Sequence, residues 1–381
     1  MKNLWFLGVL LFSCSLAAEP AKPRTLDAIT QWRFVSEAPL SNSPSVYLSQ
    51  VYIGDLQGNI YALDAATGKP LWQFKAAAPV RTRPIAHASG VIVAAGDTLY
   101  SLDIKGQLSW SSQFEAKANK EVLDPWDIYK SSPFLDNKTI YIGTENGELY
   151  GYNLTSGKRI YTCKTRVASP IRNQPVSDDQ NVYFGNWRGE FFACSLRSSS
   201  VVWQYDTRKD KTFSWVNAIQ NRATVYRGTV CFTGRHCRQY CLNSSTGEQR
   251  DVLVSPTDQW LIGDPAQQDN LVVFGTSDQH LLYARDLRSF KTLWQAKTAG
   301  RTWGAAWIGS QAVYAVNNKL QKFDRETGKL IEEIVLPEVY PLRTFGSYED
   351  ARPSSHSDVI AVADHLIFAI DNGTVVAAKP F

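Results

Sequence analysis

The stretch Val51–Phe74, VYIGDLQGNIYALDAATGKPLWQF, decides how the rest of the chain is read. Val51-Tyr52-Ile53 is a β-rich run, and Asp55-Leu56-Gln57-Gly58 carries turn residues. Ile60-Tyr61-Ala62-Leu63 is a second run, Thr67-Gly68-Lys69 a second turn, and Leu71-Trp72-Gln73-Phe74 a third run. Short β-branched and aromatic runs separated by Gly-containing turns predict antiparallel strands joined by hairpins. Gly58 and Gly68 suit reversals that need a positive φ.

The unit recurs. With Asp64 as a register mark, similar units place Asp103, Asn153, Ser195, Asn243, Asp286, Asp324 and Lys379 at the same point, at intervals of 38 to 55 residues. Trp72, Tyr161, Trp203 and Trp294 stand eight residues after their marks, and Trp110 stands seven after its own. Thr-Gly recurs at Thr67-Gly68, Thr246-Gly247 and Thr327-Gly328, with Ser156-Gly157 as a variant. Self-similarity at this period is the mark of a repeat architecture.

An apolar stretch precedes the first clear strand of each unit, as in Val80–His87, which makes four strands per unit. Four-stranded sheets repeated around an axis are propeller blades. The expected fold is therefore an all-β, eight-bladed propeller; the weak last unit leaves seven blades as the alternative. The recurring Trp and Tyr are expected between blades, because a single blade cannot bury both of its faces. The last unit stops at Phe381 before any outer strand, whereas Gln31-Trp32-Arg33-Phe34 copies Leu71-Trp72-Gln73-Phe74. The N-terminal strand is thus expected to complete the last blade, which would remove two exposed edges.

The first residues read MKNLWFLGVLLFSCSLAAEP: one Lys, an apolar run from Leu4 to Phe12, then small residues at Ser15-Leu16-Ala17. This is the layout of a secretory signal peptide, and it falls short of the ~20 apolar residues of a membrane span. Residues 1–18 are assigned to the signal, 19–29 to a linker and 30–381 to the propeller. Leu11-Phe12-Ser13-Cys14 also resembles a bacterial lipobox, which makes Cys14 a lipidation candidate. Export implies an oxidising compartment. Five cysteines follow Cys14, so one is left over after pairing; Cys231 and Cys241, on strands expected to be neighbours, are the disulfide candidate. Hydrophobic residues make up 44% of the chain and charged residues 20%, as in a globular protein with a large core. The formal charge is +4 and the basic residues are scattered, which gives no footprint for nucleic acid.

On these motifs, best seen in Val51–Phe74 and Ile140–Thr162, the chain resembles the PQQ-type propeller repeat family over about residues 30–381. The resemblance implies one of two things. Quinoprotein dehydrogenases of this kind hold pyrroloquinoline quinone (PQQ) and calcium over the propeller axis. Exported BamB-like scaffolds are non-enzymatic and serve the machinery that assembles outer-membrane β-barrels. The dehydrogenases carry a disulfide between adjacent cysteines, and the closest spacing here is Cys237 to Cys241. A calcium-binding carboxylate set is not matched, although Asp258 and Asp264 lie near an inner strand. The five histidines (His87, His236, His280, His356 and His365) fall in different units without a catalytic motif. The expectation is a non-catalytic scaffold with no cofactor, periplasmic or associated with the outer membrane. It would act as a monomer within a complex of envelope or outer-membrane proteins. The alternative is a small-molecule or PQQ-dependent site at the channel.

Segments leading into the inner strands carry the candidate face: Arg81, Arg83, Trp126, Arg172, Trp215, Trp260, Arg301 and Trp303. Aromatic and Arg residues anchor interfaces, and recurrence at one place in the unit predicts that they share one side of the ring. Tyr129, Asn173 and Phe213 accompany them. Two long connections, Gln113–Tyr129 and Leu336–Ser357, are the other candidates, since long loops in compact repeats carry function.

Overall fold

The fold is that of a computed structural model, which describes residues 24–114, 130–210, 217–255, 259–277, 279–337 and 355–381. The strands form eight antiparallel four-stranded sheets, so the count is eight blades. Blades 1 to 7 occupy residues 45–75, 85–113, 134–164, 176–206, 224–254, 266–297 and 307–335. Blade 8 takes its three inner strands from Ile360–Val362, His365–Ile370 and Thr374–Ala378, and its outer strand is Thr30–Val35. Arg33 pairs with Val376 and Phe34 with Val375, which joins the two ends of the chain in one sheet.

Burial follows the strand's place in the blade. The second and third strands of blade 1, Gln50–Gly54 and Asn59–Asp64, are buried almost throughout, whereas the outer strand Pro70–Lys75 alternates. A strand covered on both faces reads as a continuous apolar run, and an edge strand alternates. The core is accordingly divided among the gaps between neighbouring blades. One cluster joins Trp32, Ile367 and Val375 of blade 8 to Val51, Ile53 and Tyr61 of blade 1. Another joins Tyr183 and Phe191 of blade 4 to Val230, Phe232 and Tyr240 of blade 5.

The register marks are turn-makers. Asp64 Oδ1 accepts hydrogen bonds from the Ala66 and Thr67 amides and from the Thr67 hydroxyl. Asp324 repeats this with Thr327, and Asn153 and Asn243 accept through Oδ1 from the Ser156 and Thr246 amides. The turn needs a residue at positive φ, which Gly68 supplies at φ 69. The recurring Trp of one blade lies on the turn glycine of the next. A Cβ on Gly68 would come within 2.4 Å of the Trp32 ring, and one on Gly247 within 2.7 Å of Trp203. Each indole N–H then donates to a turn carbonyl: Trp32 to Ala65, Trp72 to Ile104, Trp110 to Leu154, Trp203 to Ser244 and Trp294 to Arg325. Five of the eight junctions carry this lock.

Residues 25–29, assigned from sequence to a linker, are packed instead. Leu26–Ile29 forms one helical turn, and its spacing puts Leu26 and Ile29 together in the cluster with Ile334, Leu336 and Val376. Thr25 bridges to Val335 in parallel. The two disulfides are Cys231–Cys241, between adjacent strands of blade 5, and Cys163–Cys194, which ties blade 3 to blade 4. Cys237 is buried outside both.

Candidate functional site

Each chain segment leading into an inner strand contributes three consecutive residues to the channel, and the three have different jobs. The first forms an upper ring around the mouth: Ser41, Arg81, Lys130, Arg172, Gln220, Ile262, Trp303 and His356, one per blade. The second is buried and stitches blades together. Asn42 Nδ2 donates to the Gly54 and Val80 carbonyls, at 2.8 and 2.9 Å, and Asn221 Nδ2 donates to the Leu261 carbonyl at 2.7 Å. Asn173 and Ser131 do the same with Asn221 and Asn173 carbonyls. These bonds satisfy carbonyls that have no ladder partner, and they fix the spacing of the ring.

The third residue forms a belt across the channel. Arg83 of blade 2 pairs with Asp358 of blade 8, and Arg222 of blade 5 approaches the same carboxylate at 3.6 Å. Asp358 Oδ1 also accepts from the Ala305 amide, and the Asp358 amide donates to Ser43 Oγ. Asp264 of blade 6 accepts from the Arg222 amide at 3.1 Å. Burial works to raise the Asp358 pKa, but Arg83 and then Arg222 outweigh it and hold the group below the usual carboxylate range. Burial dominates at Asp264 and raises it, with Arg222 opposing.

The upper face is built from the mouth ring and the turns between second and third strands. Arg172 is bidentate to Glu145, with Nη2–Oε2 at 2.7 Å, and Lys130 reaches the same carboxylate at 3.3 Å. The Arg172 guanidinium lies 4.9 Å from the centre of the Trp187 ring; Arg235 covers the same indole at 4.9 Å and Trp260 at 5.2 Å. Arg235 Nε donates to Gln220 Oε1. A row Arg172–Trp187–Arg235–Trp260 therefore runs from blade 4 to the segment leading into blade 6, with the half-buried Trp187 between two guanidiniums and Trp260 against one. Across the mouth, Trp303 stacks on His356 at 5.2 Å, and His356 Nδ1 bonds Asp371 at 2.8 Å. Burial opposes the charged imidazole, yet Asp371 prevails and raises the His356 pKa.

Arg81, Arg172 and Trp303 line the mouth, and Trp260 lies against Arg235. Arg83 sits one layer deeper, in the belt, where it bonds Asp358 and lies away from the outer surface. Arg301 stands two residues before Trp303, the first mouth residue of blade 7. Trp126, Tyr129, Phe213, Trp215 and Asp258 lie outside the described residues, as do residues 115–129 and 338–354 of the two long connections. Trp187, Arg235 and Glu145 were not singled out from sequence. All three occupy the turn position of Leu56, so the repeat register holds the signal that would have found them.

Among the described residues the channel offers no donor set for a calcium–quinone centre. Two of the described carboxylates there are engaged by cations, Glu145 by Arg172 and Lys130 and Asp358 by Arg83 and Arg222, and Asp264 accepts from the Arg222 amide. Among the described residues no group of three His, Cys, Asp or Glu could hold a metal ion. The disulfides lie within blade 5 and between blades 3 and 4 and join no adjacent cysteines.

Comparison with known proteins places these features in context. The family model described as outer membrane protein assembly factor BamB matches residues 26–161, 93–296 and 218–380. No curated protein matches the chain. Among solved structures, BamB from Moraxella catarrhalis is similar over 92% of this chain and 99% of its own, with TM-score 0.68 and 13% identity. The computationally designed Ika8 protein is similar over 91% and 98%, with TM-score 0.71 and 13% identity. Quinohemoprotein alcohol dehydrogenase ADHIIG from Pseudomonas putida HK5 is similar over 94% and 78%, with TM-score 0.70 and 12% identity. At such identities the likeness is one of fold.

Proposed function

From the premise that this chain belongs to the outer membrane protein assembly factor BamB family of PQQ-like propellers, we propose that it is an exported, non-catalytic scaffold that docks an envelope protein on its upper face. The observation that carries this reading is the row Arg172–Trp187–Arg235–Trp260 beside the stacked Trp303–His356 pair. Trp and Arg are the residue types that dominate binding energy at protein interfaces. Here their rotamers are fixed before a partner arrives, by stacking and by Glu145, Gln220 and Asp371. Fixing them in advance removes about 0.5–1.5 kcal/mol of ordering cost per side chain on association. The N-terminal signal delivers the chain to the periplasm, and Cys14 is the residue through which a lipid would tether it to the outer membrane.

A small-molecule site at the mouth has less support. The cavity there is about 140 Å³, below the ~300–1,000 Å³ typical of ligand pockets. The two readings separate in one experiment. The tagged chain is purified from envelope extracts, and bound species are identified by mass spectrometry beside Arg81→Glu and Trp303→Ala variants of unchanged fold. Enrichment of an envelope protein that both variants lose supports docking. A quinone-sized mass retained by all three forms supports the other reading.

A further inference from the structure

Below the belt the channel opens into a second chamber of about 530 Å³, larger than the mouth cavity and different in kind. Its wall is a crescent of inner-strand residues from four blades in succession. Ile360 and Val362 come from blade 8, Val46 from blade 1, Ile85 from blade 2, and Phe134 and Leu135 from blade 3. Gln174 and Arg222 complete it from blades 4 and 5, and Arg83 belongs to its roof. The arginines of the belt reach this chamber, but the acids do not: Asp264 faces the upper cavity, and Asp358 lines neither. The Arg222 Nε and Nη2 groups donate to the Pro265 carbonyl and Arg83 Nη1 to Asp358, which leaves part of each guanidinium fork for a further acceptor. Seen from below, the site is an open recess, part apolar and part polar, that ends in two guanidiniums set against one carboxylate, Asp358.

We infer that this lower chamber binds an amphiphilic anion, a straight aliphatic carboxylate whose chain lies along Ile360, Ile85 and Phe134 while its head meets Arg222 and Arg83. The volume falls within the usual ligand range of ~300–1,000 Å³. Guanidinium forks suit carboxylates because they offer parallel N–H donors. A neutral chain would leave those donors without a carboxylate, and a cationic head would meet like charge. The site shares Arg83 and Gln174 with the mouth cavity but none of the docking row, so either reading can fail without the other.

The test uses the purified full chain and isothermal titration with sodium decanoate below its micelle concentration. Sodium octanoate, acetate and decyltrimethylammonium serve as comparison ligands. One decanoate per chain is expected. Each added methylene should tighten binding about fourfold, so decanoate should exceed octanoate by roughly fifteenfold. Acetate and the cationic amphiphile should not saturate. R222Q should weaken decanoate by at least about tenfold, and A361F, at a lining residue outside the belt, should abolish binding. Thermal unfolding of each variant without ligand confirms the fold; if R222Q does not fold, A361F and the head-group series decide. No saturable decanoate binding, equal binding of the cationic amphiphile, or wild-type affinity in A361F would overturn the inference.

Discussion

The junction between blades 4 and 5 and the junction between blades 5 and 6 solve one problem in two ways. At the first, Trp203 lies on Gly247 and donates to the Ser244 carbonyl. At the second, the Trp place is taken by Asp251 and the turn-glycine place by Phe290, at φ 56. The indole's role passes to an ion pair: Asp251 accepts from Arg285 at 2.8 Å, and Arg285, 4% exposed, also donates to Gln239 and the Phe290 carbonyl. The two substitutions belong together. Without a Trp to lie on it, the turn residue need not lack a side chain. The junction between blades 3 and 4 agrees, with Tyr161 at the Trp place, Ser199 at the glycine place, and the Tyr161 hydroxyl donating to Ser195.

Four expected outcomes sharpen or break this pairing. Trp203→Ala should cost about 3–5 kcal/mol in urea unfolding, the range for deleting a buried aromatic. Asp251→Ala should cost less, about 1.5–3 kcal/mol, because it removes one charged hydrogen bond from Arg285 while Gln239 remains. If Asp251→Ala proved as costly as Trp203→Ala, the ion pair would be the stronger fastening. Turn residues should then move in opposite directions. Gly247→Ala should lose at least about 1–2 kcal/mol, from left-handed backbone strain and the Trp203 ring, whereas Ser199→Gly should gain about 1 kcal/mol. A loss in Ser199→Gly would show that the serine has a contact that outweighs its strain.

Two histidines make stability depend on pH with opposite signs. His236 is buried between Phe232 and Tyr240; burial, and then Arg238, lower its pKa to about 3. The unfolded chain therefore binds a proton that the folded chain refuses, so His236 should make stability fall as pH drops from about 6.5 toward 3. The raised pKa of His356 means the reverse. Its contribution is fully present below about pH 6.5 and is lost as pH rises through the folded value. Denaturation across pH should flatten at the acid end in His236→Phe and near neutrality in His356→Gln. The same slope in both variants would refute these assignments.

The rim of the ring was far more legible than its channel. Asp64, Thr67, Gly68 and Trp72 are local, repeat along the chain and fix both the turns and the blade spacing. The closure by Trp32 was legible because the strand that bears it copies the strand of Trp72. The mouth residues could be grouped by their place in the repeat, but their depth could not be assigned. Arg83 and Arg81 differ by two positions, and only the closed ring brings Arg83 to Asp358, 275 residues away. Cys163–Cys194 was missed for the same reason: the pair spans two blades and exists only once their wedge is packed. Cys231 and Cys241 lie opposite each other on neighbouring strands, which hairpin register alone suggests.

The proposal that partners dock on the upper face is tested most directly by site-specific photocrosslinking in the native envelope. One probe replaces Gln57, exposed in an upper turn, and the other replaces Leu48, 82% exposed on the opposite side of the ring. The account predicts a discrete protein adduct from position 57 that disappears when Trp303→Ala is added, and none from position 48. Adducts from position 48 alone, or from both positions alike, would contradict it.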